Sequence, residues 1–144
     1  MVAHAQTLLD VCLPEDFVSL LRIQNGGSTI GFVFPTQQRT SWAEDHVPLD
    51  ELYGIGPAEV SSRAQDILDT EYLTREWGLP PKQVVIAGDG HWWITLDYRA
   101  GAVPSVVFVE VEAADALQLA PTFQEFLSGL LPADQVDEES GRLK

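Results

Sequence analysis

The chain has one cysteine, Cys12, so no disulfide can form within it, and the reading that follows is a reducing compartment, with the cytoplasm as the expected location. Histidines are few and scattered: His4, His46 and His91 share no spacing that would hold a metal, and no Cys pair or His-x-x-x-His exists. Basic residues are scarce as well. Eight lysines and arginines face 22 acidic residues, a formal charge of −14, which excludes roles that need an electropositive surface on nucleic acid or anionic lipid. No stretch reaches the ~18 consecutive apolar residues of a membrane span, and Met1 to Gln6 lack the basic start and apolar run of an export signal. Cofactor motifs are also missing. Gly88-Asp89-Gly90 lacks the following helix and lysine of a phosphate-binding loop and reads as a hairpin turn. Nothing assembles a nucleophile, a base and an oxyanion stabiliser, an absence of motifs that does not exclude an enzyme, and no cofactor is expected.

What is present is one domain's worth of core: 144 residues, 45% hydrophobic. Residues 2–10 read as helix. Leu13-Pro14-Glu15-Asp16-Phe17 opens a second helix over 14–24, with Pro14 suited to the first turn and the two acids placed where the helix dipole favours negative charge. Phe17, Leu20 and Leu21 share a face, and Asn25-Gly26-Gly27 is expected to take the chain out through a left-handed turn. Cys12, among apolar neighbours, reads as a buried structural thiol.

Ile30 to Phe34 reads as a strand stopped by Pro35, and 36–55 as a loop with short ordered pieces. Gly56-Pro57 opens a helix with Val60, Ala64, Ile67 and Leu68 on one face, interrupted near Asp69-Thr70 and closed by Gly78. Val84 to Ala87, His91 to Tyr98 and Ser105 to Glu112 follow as an antiparallel meander. Alternation places Trp92, Ile94, Leu96 and Tyr98 on a core face, with Val107, Val109 and Val111 assigned beside them; Val106, Phe108 and Glu110 are assigned to the Trp93 face. Thr122 and Glu125 fit a capping box, and Phe123, Phe126, Leu127, Leu130 and Leu131 form one helical face that Pro132 ends. Residues 132–144, rich in acids, are expected to be a mobile tail.

Three segments occur in order: Leu13-Pro14-Glu15-Asp16-Phe17 through Asn25-Gly26-Gly27; Ala87-Gly88-Asp89-Gly90-His91-Trp92-Trp93 through Asp97-Tyr98; and Leu119-Ala120-Pro121-Thr122-Phe123 through Leu127. Together they resemble the SUKH superfamily, which includes the fungal cell-wall-assembly regulator domain and many bacterial immunity proteins. The resemblance runs through most of 5–131, leaving 36–56 without a motif. It implies an α+β single domain, residues 1–131, with a central, largely antiparallel sheet and N-terminal, middle and C-terminal helices packed on it. It implies a non-enzymatic function: binding and neutralising a cognate bacterial toxin, often a nuclease. The alternative is a stand-alone interaction or scaffold module without a toxin partner.

The motif residues Asn25, Gly26, Gly27, Gly88, Gly90 and Asp97 read as structural, the glycines for turns and Asp97 for a bond to a nearby backbone amide. The acidic excess suits a basic toxin domain as partner, with no direct contact to nucleic acid or membrane. Contact candidates are Trp42, Glu44, Asp45, His46, Trp77, His91 and Trp93, since aromatics are favoured at interface hot spots, although Trp77 and Trp93 read first as core residues. A small-molecule site would require an enclosed pocket lined by Trp92 and Tyr98.

Overall fold

A computed structural model describes residues 2–55, 66–110 and 116–144. Helix α1 (Val2–Leu9) leads into α2 (Glu15–Ile23), which begins directly after Pro14 with Glu15 and Asp16 in its first turn. Strands β1 (Gly27–Pro35) and β2 (His46–Leu52) pair antiparallel, and β7 (Leu131–Pro132) joins the other edge of β1. The second sheet is the meander β3 (Gln83–Gly88), β4 (Trp92–Asp97), β5 (Ser105–Glu110) and β6 (Ala116–Ala120), with α3 (Thr70–Trp77) before it and α4 (Phe123–Gly129) after it. This is a single α+β domain whose strand pairings are antiparallel in both sheets. The Tyr53 N–H donates to the Ile86 carbonyl at 2.8 Å, carrying the end of β2 onto β3.

Helices close the core between the sheets. Phe17 of α2 meets Phe123 of α4 edge to face at 5.4 Å between centroids, and Phe34 of β1 stacks on Phe126 at 5.0 Å. Such pairs add to the burial term by about 1 kcal/mol each. Gly129 lets the end of α4 come this close, because a Cβ there would lie 2.7 Å from the Phe34 ring. Thr122 caps α4 by accepting from the Glu125 N–H at 3.1 Å, and its hydroxyl donates to the Glu125 carboxylate at 3.3 Å.

Five expectations need correction. Within the supposed loop 36–55 lies β2, whose residues His46, Val47, Pro48 and Leu49 are all buried, so its apolar pattern is continuous rather than alternating and carries no period-2 signal. The exit from α2 is extended at Gln24, with positive φ only at Gly26 (80°) and Gly27 (123°). Cys12 is exposed rather than buried. Helix α4 ends at Gly129, and Leu131 serves as a strand residue opposite Val33.

The fifth correction concerns the faces of the meander. Trp92 opposes Glu110, Ile94 opposes Phe108 and Leu96 opposes Val106, while Trp93 and Thr95 oppose Val109 and Val107. Directly opposed residues share a face, so Val106, Phe108 and Glu110 belong with Trp92, the reverse of the sequence assignment. Register is set by the connection between strands, which composition does not reveal. Both faces are also buried: Trp93 and Thr95 are as inaccessible as Ile94 and Leu96. Thr95 is accommodated by donating to Gln83 Oε1 at 2.5 Å, and Gln83 Nε2 donates onward to Asp97 at 2.8 Å.

Of the helix expected from Gly56, the part through residue 65, with Val60 and Ala64, lies outside the described residues, as do Val111 and Glu112. From Asp66 the chain makes a 3-10 turn, Ile67–Asp69, and then α3, which ends at left-handed Gly78. The segment after β7 makes a further 3-10 turn, Ala133–Gln135, and Val136 bridges Leu143.

Candidate functional site

Four tryptophans are in the chain, and the fold brings all four to one end of the meander. Trp92 and Trp93 are consecutive on β4 and therefore point to opposite faces. On one face Trp92 stacks on Phe108 at 5.5 Å and meets Trp42 from the β1–β2 connection in an edge-type contact at 6.3 Å. On the other, Trp93 packs against Trp77, the last residue of α3, at 6.4 Å. Trp42 and Trp77 thus reach the same sheet end from its two sides. Between them lies a cleft of about 670 Å³ lined by Ser41, Trp42, Trp77, Asp89, Gly90, His91, Trp92 and Glu110.

Local chemistry explains each wall. The Asp89-Gly90-His91 turn is held by the His91 N–H donating to Asp89 Oδ1 at 2.9 Å, and Gly90 takes φ 103° in open space. Gly88 leaves room for Trp93: a Cβ there would sit 2.2 Å from the indole and 2.7 Å from the Trp92 carbonyl. Glu110 accepts from the Ser41 N–H at 2.6 Å, fastening the Trp42 loop to the end of β5. The Thr40 hydroxyl accepts from the Trp42 and Ala43 N–H groups at 3.2 and 3.3 Å, which tightens that loop into a turn.

The electrostatic character of the cleft is negative. Asp89 and Glu110 contribute two carboxylates, no lysine or arginine lines the cleft among the described residues, and neither acid has an ion-pair partner among them. Trp42 and Trp77 are 49% and 42% exposed, the walls a partner can touch, whereas Trp93 at 1% is a buried support. Trp92 and Trp93 keep their indole N–H groups buried with no acceptor among the described residues, so both rings are held by apolar contact alone.

The seven contact candidates fall into two groups. Trp42, Trp77 and His91 line the cleft, with Trp93 behind Trp77. Glu44, Asp45 and His46 stand at the start of β2, where their groups are already engaged. His46 is buried and its Nδ1 lies 3.0 Å from Asp45 Oδ1; the Leu143 N–H donates to Asp45 at 3.1 Å; Arg142 pairs with Glu44 at 2.9 Å. The His46 hydrogen bond, followed by that of Leu143, holds the Asp45 carboxyl below its ordinary range.

Sequence reasoning missed Ser41, Asp89, Trp92 and Glu110 as cleft residues. The β4–β5 register is the signal that would have found Glu110, since it stands opposite Trp92. Trp92 and Tyr98 line separate clefts rather than one pocket; the Tyr98 hydroxyl donates to the Cys12 carbonyl at 2.7 Å.

The motif residues are occupied with the fold. The Ile55 N–H donates to Asn25 Oδ1 at 2.8 Å and Asn25 Nδ2 donates to the Ile55 carbonyl at 2.7 Å. Gly26 and Gly54 touch back to back, a Cβ on Gly26 falling 2.6 Å from the Gly54 nitrogen. Gly27 has φ 123°. Asp97 accepts from the Arg99 N–H at 3.0 Å, from its guanidinium at 2.9 Å and from Gln83 at 2.8 Å. Burial works to raise the Asp97 pKa, and the hydrogen bonds from Arg99 and Gln83 outweigh it, leaving the carboxyl below its ordinary range.

The scaffold is antiparallel α+β and carries an acidic, tryptophan-walled cleft at one sheet end. The chain belongs to the SMI1/KNR4 family (SUKH-1), whose family model matches residues 1–129. Membership supports an immunity-type or related protein-interaction role. No curated protein and no solved structure matches the chain. No helix among the described residues is long and apolar enough to cross a membrane.

Proposed function

We propose that this protein is an intracellular immunity protein, which binds a basic toxin domain of the nuclease class and blocks its active or substrate-binding surface. The observation that carries the reading is the tryptophan-walled cleft with Asp89 and Glu110, set in a chain of formal charge −14. Large, rigid aromatics at a depression in the surface are the residues that anchor protein interfaces. The long-range negative field steers a basic partner toward them and competes with the phosphates such a partner binds. A non-enzymatic mechanism of this kind needs only occlusion, which asks for shape and charge and for no reactive side chain.

Co-expression with a toxin domain encoded beside this chain tests the reading. Rescue of growth and co-purification are the expected results, with binding that weakens as salt rises from about 0.05 to about 0.5 M because screening shortens the reach of the field. Absence of both rescue and co-purification overturns the immunity assignment. Binding that is indifferent to salt overturns the electrostatic mechanism.

A further inference from the structure

We propose that the tryptophan-walled cleft is a receptor for one arginine side chain of a protein partner, resting on the reading of this chain as a binder of basic protein. Three features select that occupant. First, Trp42, Trp77 and Trp92 share the lining of the cleft, and Trp42 and Trp77 are half-exposed, so a cation entering it has the electron-rich faces of indole rings to stack on. Second, Asp89 and Glu110 share the lining, and neither has a cationic partner among the described residues. Glu110 spends Oε1 on the Ser41 N–H, and Asp89 spends Oδ1 on the His91 N–H; no bond to the second oxygen of either acid is seen among the described residues.

Third, arginine fits this combination better than lysine. A guanidinium is flat and weakly hydrated, so it stacks on an indole while its edge N–H groups donate to carboxylates; an ammonium keeps its water and acts as a point charge. An apolar side chain would use the indoles and strand the two acids. A phosphate or carboxylate would be repelled by them.

The remaining titratable group in the cleft is His91, exposed on the turn beside Asp89.

The test uses the full chain, labelled with 15N, and the capped amino acid N-acetyl-arginine methylamide as probe, read at the indole N–H resonances. The expected result is saturable shifts at Trp42, Trp77 and Trp92, weaker binding of the lysine analogue, and about tenfold or weaker binding of the neutral citrulline analogue. Trp42→Ala and Asp89→Asn each weaken the arginine probe about tenfold, and Ile30→Ala, an exposed apolar residue outside the cleft, leaves it unchanged. Trp42→Ala removes a half-exposed side chain, and an unchanged amide spectrum away from the cleft verifies that the variant is folded.

Equal binding of the citrulline and arginine probes overturns the proposal, as do indoles that stay silent up to the solubility of the probe. Growth rescue separates the two readings. Rescue with silent indoles overturns the arginine receptor alone; arginine binding without rescue or co-purification supports the receptor and overturns the toxin as its partner.

Discussion

Asn25 and Ile55 hold each other by two hydrogen bonds in opposite directions, side chain to main chain, across thirty positions of sequence. The pair joins the exit of α2 to the chain leaving β2, and Gly26 and Gly54 are the contact that lets the two segments approach. Asn25→Ala leaves the Ile55 N–H and carbonyl without this partner and is expected to cost about 2–4 kcal/mol in urea denaturation. Gly26→Ala should cost at least as much, because it adds a backbone clash to an unfavourable φ of 80°. Gly90→Ala is the comparison: its φ of 103° is equally unsuited to alanine but nothing lies within 4 Å, so its cost is backbone strain alone, about 1–2 kcal/mol.

Gly88 governs the cleft from beneath. With a Cβ 2.7 Å from the Trp92 carbonyl and closer still to the Trp93 ring, Gly88→Ala must displace either the indole or the end of β4. A loss of about 2–4 kcal/mol is expected, together with a change in tryptophan fluorescence and near-ultraviolet circular dichroism from the Trp77–Trp93 pair. Unaltered spectra with full stability would show that the strand end accommodates the methyl group.

Asp97 makes stability depend on pH in a defined direction. Its folded pKa lies below the ordinary value of 3.8, so its contribution is complete above that value and is lost as pH falls through the folded pKa. Asp97→Asn is expected to cost about 1–2 kcal/mol near neutral pH, since charge-assisted bonds from Arg99 are weakened. The difference from the parent should shrink below pH 3.8, as the parent's own carboxyl is protonated. Denaturation midpoints of both proteins measured from about pH 7 downward through 3.8 check the direction of the change.

Cys12 is exposed at the entrance to α2, so it should react with a thiol reagent in the native protein without denaturant. One equivalent per chain is the expected stoichiometry. Because the Cys12 side chain donates no packing to the core, Cys12→Ser should change stability by less than about 0.5 kcal/mol. Protection of the thiol until the chain unfolds would place it inside, contrary to the structure.

Much of the scaffold was legible because local chemistry writes it. Pro14 and the acids after it mark the start of α2, Thr122 marks the start of α4, and Gly78 takes the left-handed conformation that ends α3. Strands β3, β4 and β5 announce themselves by runs of β-branched and aromatic residues between turns. Strand β2 does not, since four successive buried residues carry no alternation. The candidate site was half visible: composition singled out Trp42, Trp77 and His91 as available aromatics, but nothing local said that they would meet, and Glu44, Asp45 and His46 looked equivalent until the C-terminal segment was seen bonded to them.

The sequence by itself determined the starts of α2 and α4 and the strands β3, β4 and β5, because each depends on residue type within a few positions, and its composition fixed the negative charge. Tertiary structure alone decided which face each strand presents and where the tryptophans converge. The physical reason is register: Trp92 meets Glu110 and Trp93 meets Val109 only because the β4–β5 pairing is offset as it is, and a shift of one residue would exchange the two faces. The cleft is a product of that offset, of Gly88 lacking a side chain, and of two distant segments bringing Trp42 and Trp77 to the same sheet end.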